Sequence, residues 1–367
     1  ASAQRRLRHF SYSDRIRYYW PEEDAKVAVQ TLLELLEGVD IPEPLIGQLQ
    51  LTAAAITDYL AEHPFALDSE LMQFYFDALQ FLRIAELFDE RDFLCDIEWR
   101  PPPSGKGGKR KGTVIQLRNL IPAAQLKPRF ESAHSATLFS ATLNPAGYYC
   151  DLLGLPDTVV AMTMPSPFKA EQVIVHTHRN LSTRYHDRAR SIAPIAHLIA
   201  EQYEQQPGNY LAFFSSYDYL QQVHEHLRDH HPEVPTWAQE RKMNEAARAD
   251  FLAAFNEHSS GVGFAVLGGA FGEGIDLPGK RLIGAFVTTL GLPQMNPINN
   301  ELKQRLEEQF GQGYDYAYLY PGLRKVVQAA GRVIRGEDDT GVIHLIDDRF
   351  AQPRIRRLLP EWWALER

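Results

Sequence analysis

Cysteine is scarce: Cys95 and Cys150 are the two present among 367 residues. Two thiols exclude a disulfide framework and a four-cysteine metal or iron–sulfur cluster made by this chain alone, and they fit a reducing, cytoplasmic setting. Long apolar runs are missing as well. None nears the roughly 18 residues that span a bilayer, so no membrane partner is expected. The opening Ala1-Ser2-Ala3-Gln4-Arg5-Arg6 lacks the apolar core of a signal peptide. It also lacks an initial Met, and the chain reads as the back end of something longer. No Gly-x-x-x-x-Gly-Lys-Ser/Thr loop occurs, the cradle with which a self-sufficient nucleotide hydrolase grips phosphates. The nearest stretches, Gly105 to Arg110 and Gly279-Lys280-Arg281, have the wrong spacing and no hydroxyl after the lysine. Positive charge is in deficit overall, at a net −9, which for the chain as a whole argues against nucleic acid.

The deficit is local. Residues 22–98 hold 18 Asp or Glu against 3 Lys or Arg, a net −15, which leaves +6 for the rest. Before that block come Arg5, Arg6, Arg8, Arg15 and Arg17 among Phe10, Tyr12, Tyr18, Tyr19 and Trp20. After it come Arg100, Lys106, Lys109, Arg110 and Lys111. Cations interleaved with rings suit a single strand, whose phosphates and bases they meet respectively. A solvated terminus and a flexible loop are the plainer reading of both stretches. At 44% hydrophobic and 23% charged residues the chain is otherwise an ordinary globular one.

Residues 22–88 show apolar residues at helical spacing, interrupted at Pro42-Glu43-Pro44 and His63-Pro64. They are expected to form a helical subdomain, acidic outside. Near residue 93 the pattern changes. Strands are expected at Phe93–Glu98, Thr113–Leu117 and Ala136–Leu143. From about 155, strands at Val173–Thr177, Tyr210–Phe214, Phe264–Leu267, Leu282–Thr288 and Val342–Asp347 alternate with helices at 187–205, 217–230, 245–256, 298–310, 321–335 and 352–365. Alternation of helices with nearly continuous apolar strands predicts a parallel α/β sheet with helices on both faces. Sites in such sheets lie beyond the carboxyl ends of the strands.

Four segments there carry chemistry. In Gln328-Ala-Ala-Gly-Arg332-Val-Ile-Arg335 a continuous helix would place Gln328, Arg332 and Arg335 on one face. Two guanidiniums there suit a phosphate across a cleft; two surface ion pairs are the bland alternative. Gly268 to Gly279 is glycine-rich directly after a strand, so its backbone can approach a phosphate or sugar closely, with Asp276 able to accept from a ribose hydroxyl. An ordinary turn is the alternative. Phe213-Phe214-Ser215-Ser216-Tyr217 ends a strand in hydroxyls and starts a helix, where free amides hold a backbone phosphate or a serine merely caps. Ser140-Ala141-Thr142-Leu143 ends another strand, as a relay between domains or a simple transition.

In this order the four segments resemble motifs VI, V, IV and III, read from the carboxyl end, of superfamily 2 helicases, specifically the XPD/DinG-like branch that moves 5′ to 3′ on single-stranded DNA. Ser166-Pro167-Phe168, Leu292-Pro293 and Asp347-Asp348-Arg349-Phe350 agree. The resemblance implies a RecA-like parallel sheet covered by helices, preceded by an all-helical arch-like region. Residues 1–92 would be that region, 93–150 the end of a first motor domain and 151–367 the whole second motor domain. It implies that Arg332 and Arg335 are arginine fingers on the γ-phosphate of ATP, with Gln328 beside them. Glu273, Gly274 and Asp276 would serve ATP binding, Ser215, Ser216 and Tyr217 the DNA backbone, and Ser140 and Thr142 coupling. No metal ligands are expected here. ATP and Mg²⁺ would be held mainly by a motor domain upstream, which is the expected intramolecular partner beside single-stranded or forked nucleic acid. Some relatives carry an iron–sulfur cluster; its cysteines would also fall upstream, and Cys95 and Cys150 offer no such spacing. The chain alone would not hydrolyse ATP. The origin is expected to be bacterial. A non-catalytic nucleic-acid-binding adaptor is the alternative, decided by whether a phosphate-gripping lysine exists upstream. A self-contained phosphotransferase is disfavoured by the absence of that lysine here.

Overall fold

The computed structural model describes residues 16–18, 41, 43–63, 69–100, 112–272, 276–363 and 365. The basic stretches Arg5 to Arg15 and Lys106 to Lys111 lie outside them. The chain divides into two compact units, one of residues 1–132 with 152–154, the other of 133–151 with 155–367.

In the first unit the antiparallel strands β1 (Ile16–Tyr18), β2 (Phe93–Arg100) and β3 (Gly112–Asn119) form a sheet in the order β1-β3-β2. Helices α1 (Glu43–Glu62) and α2 (Ser69–Ala85) bury Leu49, Ala53 and Ile56 against Phe74, Ala78, Phe81 and Leu82, with Ile115 and Leu117 of β3 packed on them. These are the later helical repeats expected from spacing, and a strand of the sheet shares their core; the earlier repeat, over 22–40, lies outside the described residues. Helix α3 (Ala123–Ser132) comes after the sheet.

The second unit holds six parallel strands: β4 (Val173–His178), β5 (Asn209–Phe214), β6 (Thr236–Ala238), β7 (Gly261–Val266), β8 (Gly284–Val287) and β9 (Gly341–Ile346), in the order β4-β9-β8-β5-β7-β6. Successive strand side chains point to opposite faces, and here both faces are buried. Leu211, Phe213, Ala265, Val287 and Leu345 join one core. Tyr210, Ala212, Phe214, Phe264, Phe286 and Ile346 join the other. Around the sheet run α4 (Ala146–Leu153), α5 (Arg188–Gln205), α6 (Tyr217–His230), α7 (Glu245–Ala253), α8 (Pro297–Phe310), α9 (Tyr320–Ala330) and the short α10 (Pro353–Arg356). Leu323, Val326 and Ala329 of α9 with Phe251 of α7 cover the first face; Ile195 and Ile199 of α5 with Val223 and Leu227 of α6 cover the second. Because all six strands are parallel, their carboxyl ends emerge along one edge.

One strand was not expected, and three local expectations fail. The edge strand Thr236–Ala238 escapes the sequence reading because three residues carry almost no periodicity. The helix expected over 352–365 is only Pro353–Arg356, and Pro360 interrupts the chain beyond it. Ala136–Leu143 is exposed coil, with Phe139 at 90% exposure; among the described residues no strand pairs with it. The helix expected to reach 335 stops at Ala330: the amides of Arg332 and Val333 turn back only to the carbonyls of Ala329 and Ala330, a tightened final turn.

Candidate functional site

That early stop rearranges the expected arginine pair. Gln328 stays in the last turn of α9, half-buried, while Arg332 and Arg335 sit in the turn beyond it, so the three do not share a helical face. The two arginines meet the glycine-rich loop instead. Arg332 is buried, and its Nη2 donates to the Gly272 carbonyl at 2.8 Å. Arg335 keeps a side chain 42% exposed, and its Nε stands 3.5 Å from a carboxylate oxygen of the exposed Asp276. A surface pair at that distance holds little energy, typically about 0–1 kcal/mol. Glu273 and Gly274 lie outside the described residues.

The loop is tightly wound. Gly268 has φ +76°, and a Cβ on Gly272 would stand 2.7 Å from the Gly268 nitrogen. Only glycine permits both features. Phe271 is buried, its ring centroid 4.2 Å from that of Phe251, and anchors the loop to the core.

The turn carrying Arg335 is held from two sides. One carboxylate oxygen of Asp339 accepts from the amides of Arg335 (2.8 Å) and Gly336 (2.7 Å). The Gln172 side-chain amide lies at 3.0–3.1 Å from the carbonyls of Gly336, Glu337 and Asp339. Nothing in the local sequence marks Gln172, some 160 residues away, as a brace.

The hydroxyl segment lies just past β5. Ser215 accepts a hydrogen bond from Arg188 Nη2 at 2.9 Å. Ser216 caps α6, its hydroxyl accepting from the Tyr219 amide, so the capping alternative holds for that residue. The Tyr217 hydroxyl accepts from Gln239 Nε2 at 2.7 Å, and Gln239 Oε1 accepts from the Val266 amide at 2.9 Å. Gln239 is buried and ties Tyr217 to the end of β7, where the glycine-rich loop begins. It, too, was invisible in the sequence, since a lone glutamine at a strand end has no pattern.

Ser140 is exposed and Thr142 half-buried, their hydroxyls 3.3 Å apart. Tyr149 donates to the Thr142 carbonyl at 2.8 Å, and its neighbour Tyr148 packs edge-on against Tyr316 and Tyr320, the latter opening α9. A packed path therefore joins the Ser-Ala-Thr segment to the helix leading to Arg332. Among the described residues no group of three or more His, Cys, Asp or Glu is placed to hold a metal ion, and no helix is long and apolar enough to cross a membrane.

The parallel sheet thus carries hydroxyls, a wound glycine loop and two guanidiniums along its carboxyl edge. Residues 199–366 match the family described as helicase C-terminal domain. The XPD helicase subunit of Dictyostelium discoideum is 25% identical over 68% of this chain and 34% of its own length; that of Schizosaccharomyces pombe is 24% identical over 81% and 40%. The ATP-dependent DNA helicase CHL1 of Coccidioides immitis is 24% identical over 75% and 37%. Solved XPD helicase structures superpose with a TM-score of 0.55 at 17–18% identity, one covering 93% of this chain and 60% of that one. Residues 199–366 are thus similar to a helicase C-terminal domain, the fold is the RecA-like one of the solved XPD helicases, and the chain spans well under half the length of these three relatives. A second family, D-tagatose-1,6-bisphosphate aldolase subunit GatZ/KbaZ-like, matches residues 1–69. Of that stretch, residues 16–18, 41, 43–63 and 69 are described.

Proposed function

We propose that this helicase fragment supplies the nucleotide-sensing and strand-gripping half of an ATP-dependent helicase moving 5′ to 3′ on single-stranded DNA. The observation that carries the reading is the contact of both arginines with one glycine-rich loop. Arg335, exposed and weakly paired, would present its guanidinium to the γ-phosphate of ATP gripped mainly, with its Mg²⁺, by a motor domain upstream. Arg332, buried against Gly272, would report that engagement to the loop, and Gln328 lies one turn behind. Glu273, Gly274 and Asp276 would then pass nucleotide state along the loop, and the Val266–Gln239–Tyr217 chain would carry it to the strand-holding residues Ser215, Ser216 and Tyr217. Bound ATP supplies the phosphoryl chemistry; these residues orient and sense it.

The exposed apolar segment about Phe139 fits the same reading. Residues 93–150 would end the first motor domain, and Ala136–Leu143 would gain its strand neighbours there, placing Ser140 and Thr142 between the two motors. The arch-like role of residues 1–92 belongs to this proposal as well.

The test is strand displacement by the full-length protein on duplexes with a 5′ or a 3′ single-stranded tail. ATP-driven unwinding only of the 5′-tailed substrate is expected, together with no ATP turnover by residues 1–367 alone. Turnover by residues 1–367, or preference for the 3′ tail, contradicts the reading.

A further inference from the structure

Arg188, the first residue of α5, differs from the arginines around it. Arg184 is paired with Asp348 at 2.6 Å and Arg349 with Asp347 at 2.5 Å. Among the described residues no carboxylate pairs with Arg188. Its Nη2 donates to Ser215, and its Nε is buried without a hydrogen-bond partner. The guanidinium carbon lies 5.2 Å from the ring centroid of Tyr219 and 5.3 Å from that of Tyr185. Tyr219 is fully buried and fixed by Ser191 at 2.6 Å. Tyr185, in the single turn Tyr185–Asp187 before α5, is 84% exposed. A cation held near an aromatic ring is worth about 0.5–1 kcal/mol at an exposed site, which steadies that ring while most of its surface stays open to solvent. An oriented open ring beside a charge with no carboxylate is suited to a ligand that is flat in one part and anionic in the next.

We propose that Tyr185 and Arg188 form a nucleotide subsite for single-stranded nucleic acid: a base stacks on Tyr185 while an adjacent phosphate meets Arg188 and Ser215. The inference deepens the strand-gripping reading above and rests on it. Neither residue belongs to the four motif segments. Recognition here is by ring face and charge, so it takes any base. It also gives Ser215 a second function, since its hydroxyl fixes the guanidinium instead of acting alone.

The test measures binding of the full-length protein to fluorescent oligo(dT) and to an equally long strand of abasic sites. Tyr185→Ala is expected to weaken oligo(dT) binding about 5- to 150-fold, the equivalent of the roughly 1–3 kcal/mol that stacking one base contributes. Its binding to the abasic strand is expected to be unchanged, and Tyr185→Phe should bind both like the wild type. Arg188→Gln should weaken both probes and reduce the salt slope by about 0.7, the value of one phosphate contact on a single strand. Wild-type oligo(dT) affinity in Tyr185→Ala overturns the subsite while leaving the strand-gripping reading intact. So does an equal loss on both probes, which would mean a disturbed turn instead of lost stacking. A wild-type protein that binds neither probe overturns both proposals.

Discussion

Two segments of this chain look alike as sequence and differ completely in structure. Tyr210–Phe214, followed by Ser215 and Ser216, and Ala136–Leu143, with Ser140 and Thr142 near its end, are both short apolar runs with small hydroxyl residues at their carboxyl ends. The first is β5, with β7 and β8 bonded to its two edges and Phe213 and Phe214 entirely buried. The second is coil, with Phe139 almost wholly in solvent. A run of apolar residues states a capacity to be a strand; neighbours that accept its amides and cover its side chains decide whether it becomes one.

The largest expected effect that could break this contrast is on stability. Phe213→Ala should lower the unfolding free energy in urea by about 3–5 kcal/mol, the usual loss for a fully buried phenylalanine. Phe139→Ala should change it by less than about 0.5 kcal/mol. Similar losses at both positions would refute the assignment of one as core and the other as surface.

Next comes overpacking. A Cβ on Gly284, in β8, would lie 2.6 Å from the Tyr210 ring and 2.9 Å from Val342 Cγ1. Gly284→Ala should therefore cost about 1–3 kcal/mol, whereas Ala141→Val in the exposed segment should be silent by the same urea titration.

The buried side is also where acid should act. His344 lies in β9 beside His176 of β4, and its Nδ1 is 3.0 Å from His178 Nε2 while its Nε2 meets Gln202 Oε1 at 2.9 Å. Burial, then the charges His178 and His176 would carry, push its pKa from 6.5 down to about 2. His178 is also lowered, by burial and His176, with Glu201 opposing. A histidine held neutral when folded binds fewer protons than when unfolded. Its contribution is complete above pH 6.5 and is lost as pH falls through the window toward 2. Between pH 7.5 and 5 the loss should be about 2 kcal/mol, and His344→Gln should flatten that part of the profile. Asp347 adds to acid lability lower down: burial raises its pKa, but hydrogen bonds from Arg349 and Thr183 outweigh this and hold it below the usual carboxylate range. Its stabilisation is present above the ordinary aspartate pKa and disappears below it.

The same distinction explains what sequence could and could not convey. Five of the six parallel strands and most of their helices were legible, because buried strands between amphipathic helices have a strong period. Arg332 and Arg335 were legible as candidates but not in their arrangement. Gly331, with β-branched Val333 and Ile334 shortly after it, was the available sign that the helix would stop, and Asp339 completes the stop by taking the amides of Arg335 and Gly336. Gln172 and Gln239 were not legible, since each works through hydrogen bonds to backbone or side chains distant in sequence. Tyr185 and Arg188 sit outside any motif, and only the fold brings them to Ser215.

A small stability effect is also expected at the residue with the greatest proposed role. Arg335→Ala removes one exposed ion pair and should move the urea midpoint hardly at all, by under about 0.5 kcal/mol. The most direct measurement of the central claim is DNA-stimulated ATP hydrolysis by the full-length protein carrying that change. A fall of roughly 10³-fold or more is expected, as when an arginine finger is removed in related phosphoryl transfer, with stability intact. A hydrolysis rate equal to the wild type would contradict it.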